Sequence, residues 1–270
     1  MKKILLLIFA LAAIGTQAQE RLIILHTNDT HSCIEPEKNG NAGVLNRALL
    51  IEEIKDSVGA DNVLLFDCGD FSQGSLYYNT FKGDVEIELM NAMGYNAGAI
   101  GNHEFDFGIE NLARIAKKAD YPLLCSNYDF TDTPCEGVII PTTTIERCGI
   151  KIGIFALAPN PDGLISKDCY QGVKYLPPVE TADKYAQMLR EQGCKVVICL
   201  SHLGYRMPDC DCDDERLAAA TSGIDIILGG HSHTLLKEPA KLTNSKGEEV
   251  ITQQMNKNGR YLGCVTLNIE

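Results

Sequence analysis

Five short apolar runs, each followed at once by a polar cluster, constrain this chain more than any other feature. Leu22 to Leu25 precedes His26-Thr27-Asn28-Asp29-Thr30-His31, and Val63 to Phe66 precedes Asp67-Cys68-Gly69-Asp70. Ala97 to Ile100 precedes Gly101-Asn102-His103-Glu104-Phe105-Asp106. Val196 to Leu200 precedes Ser201-His202, and Ile224 to Leu228 precedes Gly229-Gly230-His231-Ser232-His233. Short unbroken apolar runs read as buried strands. The clusters then fall at strand ends, where α/β proteins keep their sites. All six histidines of the chain lie in these clusters. Histidines scattered over a surface would not segregate in this way.

Between the runs the spacing predicts helices. Val44, Ala48, Ile51 and Ile54 give an amphipathic helix over 43–57. Asp84 reads as the N-cap of a helix with Val85, Leu89 and Met93 on one face, ended by Gly94. Ile109, Leu112, Ile115 and Ala119 give another, stopped before Pro122, and Tyr121 to Ser126 reads as a strand. From Gly137 the texture changes. Val138 to Ile145 and Lys151 to Ala158 read as strands joined by a hairpin at Arg147-Cys148-Gly149. Pro177-Pro178 opens a helix at 179–192, a further helix falls near 213–221, and strands return at 236–242, 249–254 and 260–268. A single parallel sheet does not predict this second, β-rich half. Two packed sheets with helices outside do, within one α/β domain.

The first residues have the form of a targeting signal. Lys2 and Lys3 precede an apolar stretch, Ile4 to Ile14, that is too short to span a bilayer. Thr16-Gln17-Ala18 supplies small residues, so 1–18 is expected to be a signal peptide cut after Ala18, with an uncleaved anchor as the alternative. Residues 19–270 are then one exported domain, periplasmic or secreted, without stable membrane insertion. Its net charge is near −14, from 24 − 2 basic against 36 acidic side chains. That is a poor surface for a nucleic-acid polymer. An acidic cleft can still bind a phosphoester where metal cations invert the local charge. The eleven cysteines are odd in number, and Cys68, Cys125, Cys199 and Cys264 sit within apolar runs. They are expected to form no disulfide and no metal site.

The clusters offer Asp29, His31, Asp70, Asn102, His202, His231 and His233 as nitrogen and oxygen donors without thiolate. Such a set suits Zn, Mn, Fe or Co. Seven donors exceed one tetrahedral ion and suit two ions sharing a carboxylate, an arrangement that clamps a phosphoryl group and an attacking hydroxide. His103 with Asp106 three residues on is an acid or base with an orienting carboxylate.

In order, His26 to His31, Gly69-Asp70, Gly101 to Asp106, Ser201-His202 and Gly229 to His233 resemble the motifs of calcineurin-like metallophosphoesterases. The nearest branch is the bacterial periplasmic 5′-nucleotidase family, and the resemblance runs from about residue 21 to 268. It implies a four-layer fold, two packed β-sheets flanked by helices, and two divalent metal ions. It implies that Asp29, His31 and His233 hold the first ion, and Asn102, His202 and His231 the second, with Asp70 bridging. Asn102 and His103 would meet the substrate phosphate, and His103, oriented by Asp106, would be catalytic. That family carries a C-terminal domain that reads the nucleotide, and this chain ends with the metal domain. A separate polypeptide could supply the missing part.

Other residues in the clusters carry plainer expectations. His26 and Asn28 are expected to be structural, Asp67 to lie off the ligand face, and Glu104 to be solvated or to support a neighbour. Tyr77, Tyr78 and Phe81 are expected to pack, with the wall of a substrate cleft as their alternative. The leading expectation is an exported dinuclear hydrolase of small phosphoesters, nucleotides by resemblance. The alternatives are a broad phosphomonoesterase or cyclic phosphodiesterase, and a metal-bearing subunit inert without its partner.

Overall fold

Alternation along the first two strands divides their side chains between two cores. In the computed structural model, which describes residues 20–269, β1 (Glu20–Thr27) lies parallel to β2 (Val63–Asp67), with Leu25 opposite Leu65. Leu22, Ile24, Leu64 and Phe66 face one core; Leu25, Val63 and Leu65 face the other. Residues two apart on a strand share a face, so each strand feeds both. The expected signal peptide, residues 1–18, lies outside the described residues.

β3 (Ala97–Ala99) and β4 (Leu123–Leu124) extend the sheet in parallel beyond β2. β5 (Tyr128–Asp129) pairs apart from it with β8 (Lys174–Tyr175). The second sheet contains β6 (Thr142–Arg147), β7 (Ile150–Leu157), β9 (Val196–Ser201) and β10 (Ile226–Gly229), together with β11 (Ala240–Thr243) and β12 (Glu249–Gln253). Its order is β11-β12-β10-β9-β7-β6; the four central strands are parallel and both outer ones antiparallel. β13 (Gly263–Ile269) returns to the first sheet, antiparallel to β1, giving the order β13-β1-β2-β3-β4.

The sheets meet face to face. Leu22, Ile24, Leu64 and Phe66 pack with Ile152, Ile154, Ile198, Leu200, Ile226 and Leu228. Each such side chain, fully buried, contributes about 1.5–3 kcal/mol of transfer free energy. Helices α1 (Val44–Val58), α3 (Asp84–Met93) and α4 (Ile109–Ala116) cover the outside of the first sheet through Ile51, Ile87, Met90, Leu112 and Ile115. The short α2 (Leu76–Phe81) precedes α3. On the second sheet, α5 (Pro178–Glu191) and α6 (Asp214–Ala220) place Ala182, Ala186, Leu189 and Leu217 against Phe155, Val197, Cys199 and Ile227. The result is the expected four layers: helices, sheet, sheet, helices.

Several boundaries differ from expectation for physical reasons. The strand expected from Val138 starts only at Thr142, because Pro141 has no N–H to give a ladder. The hairpin that follows turns at Cys148 and Gly149 with φ of 47° and 70°, the two positive angles of a primed turn. The strand expected at 121–126 shrinks to Leu123–Leu124. The N-cap of α3 is Gly83 rather than Asp84, whose carboxylate instead pairs with Arg114 and Lys118. Cys264, expected to pack as a small apolar residue, is exposed, while Cys68, Cys125 and Cys199 are buried.

Candidate active site

The parallel strands of both sheets deliver the polar clusters to one end of the sandwich. Asp29 and His31 follow β1, Asp70 follows β2, and Asn102 and His103 follow β3. From the second sheet, His202 follows β9, and His231 and His233 follow β10. Ligand atoms of Asp29, His31 and His233 lie within 4.8 Å of one another, as do those of Asp70, His202 and His231. The two groups adjoin, since His202 Nε2 is 3.9 Å from Asp29 Oδ1. Each draws on both sheets.

The backbone is bent sharply to achieve this. Asp29, His31, Asp70, His231 and His233 all have positive φ, between 45° and 71°. For a residue with a Cβ that conformation costs roughly 1–2 kcal/mol and persists where the surroundings impose it. Here they do. Asp29 N–H donates to the Gly69 carbonyl at 2.9 Å, His31 N–H to that of Asp70 at 3.0 Å, and Asn258 N–H to that of Asp29 at 2.7 Å. Gly101 admits no side chain: a Cβ there would stand 2.2 Å from Asp70 Oδ1 and 2.7 Å from His202 Nε2.

The donors are aimed and underused. His202 Nδ1–H donates to the Cys68 carbonyl at 2.7 Å, which turns Nε2 into the site. That Nε2 stands 3.0 Å from Asp70 Oδ2, off hydrogen-bond geometry, and is buried without a partner. Asn102 Oδ1 is likewise buried and unpartnered. His31 Nε2 and His233 Nε2 face each other at 3.0 Å, with Asp29 Oδ1 3.3 Å from the latter. Lone pairs converging without enough protons to share are what a cation satisfies, so these residues fit divalent ions. Burial holds the His31 imidazole below its ordinary pKa, and burial together with the charge of His202 brings His231 to about 4. Both keep their lone pairs at neutral pH. Burial works against charge on His202 and Asp70 too, but their mutual attraction prevails, raising the imidazole and lowering the carboxyl. A metal held there would take the place of the His202 proton.

His103 is held from four directions. Its N–H donates to Asp70 Oδ1 at 2.9 Å and its carbonyl accepts Tyr78 Oη–H at 3.1 Å. Its Nδ1 is 3.1 Å from both oxygens of Asp106, and its Nε2 is 2.8 Å from Gln73 Nε2. Burial lowers its basicity, but the hydrogen bond to Asp106 and the charge of Asp70 together raise it above the ordinary imidazole value. The aromatic cluster separates: Tyr78 is buried and supports His103, Tyr77 reaches Glu35 at 2.6 Å, and Phe81 is exposed.

Glu104 supports neighbours rather than facing solvent. Fully buried, it accepts the N–H groups of Asp70, Ser72 and Gly101. Burial and the charge of Asp70 raise its pKa to about 7. His26 is buried on Gln253, Asn28 ties Asp29 to Met255 and Asn256, and Asp67 is pinned to Thr27 and Gly69. Sequence reasoning missed Gln73, Gln254 and Asp214. Gln254 spans the loop after β10, accepting Thr234 N–H at 2.5 Å and donating to the Gly230 carbonyl at 2.7 Å. Asp214 accepts the Ser201 hydroxyl at 2.5 Å. A signal for Gln254 existed: Val250 and Ile251 lead into Thr252-Gln253-Gln254, a sixth apolar run ending in polar residues.

Beside His231 opens a cavity of about 370 Å³ lined by Pro159, Leu164, Leu203, Met207, Asp209 and Cys210 among others. Apart from His231, its lining contains no aromatic ring and no arginine.

Strand-end donors on a two-sheet sandwich define a class, and comparison with known proteins gives the same class. The model of the calcineurin-like phosphoesterase family matches residues 22–235. A 5′-nucleotidase of Diplobatis ommata is 32% identical over 96% of this chain and 48% of its own length. The crystal structure of a 5′-nucleotidase precursor from Thermus thermophilus superimposes with a TM-score of 0.84 at 31% identity, over 93% of this chain and 52% of that one. The calcineurin-like phosphoesterase YfkN of Bacillus subtilis does so at 0.79 and 26%, over 94% and 86%. The chain belongs to the calcineurin-like phosphoesterases, a family of metal-dependent phosphoester hydrolases. It spans about half the length of the curated relatives it matches.

Proposed function

We propose that this chain hydrolyses small phosphoesters of the nucleotide type with two divalent ions. The observation that carries the reading is the pair of adjoining donor triads, with His202 Nε2 inside one of them and Asn102 Oδ1 both buried and without a hydrogen-bond partner. Asp29, His31 and His233 would hold one ion and Asn102, His202 and His231 the other, with Asp70 shared between them. Bound ions supply Lewis acidity toward phosphoryl oxygens and lower the pKa of water.

The chain's own residues do the rest. Asn102 and His103 meet the phosphate. Asp106 receives Nδ1–H of His103 and fixes the ring, leaving Nε2 to carry a proton to the departing oxygen. Nucleotides enter as the substrate class through the names of the relatives. Export rests on Lys2, Lys3 and the apolar run that follows them. Among the described residues no helix is long and apolar enough to cross a membrane.

Apart from His231 the cavity beside it offers no stacking group, so weak discrimination between bases is expected of this chain. A polypeptide carrying a substrate domain, fused or separate, would sharpen that choice. Steady-state kinetics on AMP, CMP and p-nitrophenyl phosphate with Mn, Zn or Co decide both points. Turnover of all three with high KM is expected. No turnover with any metal favours the inert-subunit reading. A low-micromolar KM for one nucleotide alone overturns the specificity argument.

A further inference from the structure

Gln73 occupies the atom on which His103 would act, and no motif contains it. Its amide nitrogen lies 2.8 Å from His103 Nε2. The Asp106 carboxylate accepts at Nδ1, so the ring proton sits there and Nε2 is left to the Gln73 amide. The Gln73 backbone is strained to bring the amide there. Its φ is 144°, which residues with a Cβ rarely adopt. The strain is clamped on both sides. Ser72 N–H donates to Glu104 at 3.0 Å, Ser75 N–H donates to the Gln73 carbonyl at 2.8 Å, and Ser75 Oγ caps α2 through Tyr78 N–H. Tyr78 in turn holds the His103 carbonyl, so one segment grips His103 at ring and backbone.

We propose that Gln73 is a positioning residue for His103. Asp106 holds the ring at Nδ1 and the Gln73 amide holds it at the opposite nitrogen, so the imidazole is gripped at both edges and Nε2 stays turned to the phosphoester.

The kinetic half of the test rests on the hydrolase reading; the spectroscopic half does not. Gln73→Gly removes the amide while suiting the backbone angle. Nitrogen-15 spectra of histidine-labelled, zinc-loaded protein, with His103→Asn assigning the signal, read how firmly the ring is held. Expected is one sharp His103 Nε2 signal in the natural chain and an exchange-broadened one in Gln73→Gly. In kinetics, Gln73→Gly should lower kcat on an alkyl phosphate about tenfold, a share of the 10²–10⁴ a general acid supplies, and affect p-nitrophenyl phosphate less. Zinc content should stay unchanged. Added to His103→Ala, the same change should cost less than about twofold. An unaltered His103 signal in Gln73→Gly, or a full loss on top of His103→Ala, overturns the proposal. If His103→Ala itself leaves turnover intact, the acid role of His103 falls and the spectra alone decide for Gln73.

Discussion

Glu104 accepts the backbone N–H of Gly101 at 2.6 Å, and through its two oxygens it also holds the N–H groups of Asp70 and Ser72. One buried carboxylate thus joins the loops after β2 and β3, which carry Asp70, Asn102 and His103. Glu104→Ala leaves three buried donors unpaired, at about 1–3 kcal/mol each. Urea unfolding should show a loss on the order of 3 kcal/mol or more, with weaker metal binding. Glu104→Gln, which keeps one acceptor oxygen, should fall between. A stability change below about 1 kcal/mol for the alanine variant would contradict this assignment.

Metal stoichiometry tests the two triads. Elemental analysis of the reconstituted protein should give close to two ions per chain, and a chelator should abolish turnover. Asp70→Ala should reduce the content of both sites, because the carboxylate lies against His202, whose Nε2 also stands 3.9 Å from Asp29. Retention of two ions by that variant rules out a bridging role.

His103→Ala separates chemistry from metal binding. The variant should keep its metals and lose kcat by on the order of 10²–10⁴ on alkyl phosphates. Aryl phosphates, whose leaving oxygen needs less help, should lose less. Equal losses would reassign His103 to stabilising phosphate charge, and lost metal would place it among the ligands.

His26 sets an acid limit on stability. Burial, only partly offset by the hydrogen bond to Gln253, brings its pKa from 6.5 to about 4. The folded chain therefore binds fewer protons at this site than the unfolded chain between those values. Its contribution is present above pH 6.5 and is lost as pH falls toward 4. At pH 5 that loss is ~2 kcal/mol relative to pH 7.5. His26→Asn should flatten this part of the profile in urea titrations at the two pH values. An unchanged slope would move the acid sensitivity elsewhere.

What the sequence disclosed about the site was what each strand end carries locally. Asp29, His31, Asp70, Asn102, His202, His231 and His233 could be selected because apolar runs announce strand ends. The two-sheet layering was legible too, since a hairpin and returning strands follow the first βα units. Partners reached only through the fold were not. Gln73 meets His103 across thirty residues, and His26 meets Gln253 across 227. Glu104 sits in a recognised motif, yet its burial follows from three N–H groups that converge only after folding. α2 escaped because Leu76 and Phe81 are exposed, so it shows no helical apolar face, and its cap Ser75 stands among other small polar residues.

Each donor triad takes residues from both sheets: Asp29 and His31 with His233, Asp70 with His202 and His231. An ion in either one therefore acts as a clasp across the open end of the sandwich. Away from that end the sheets adhere through non-directional apolar contact, which permits sliding; at the clasp they are fixed in register. Loaded protein should resist unfolding as a single cooperative body, with added stability growing as RT ln(1 + [M]/Kd). In chelator, amide exchange should quicken first at 29–32 and 230–234, where strained backbone loses the bond that keeps it bent.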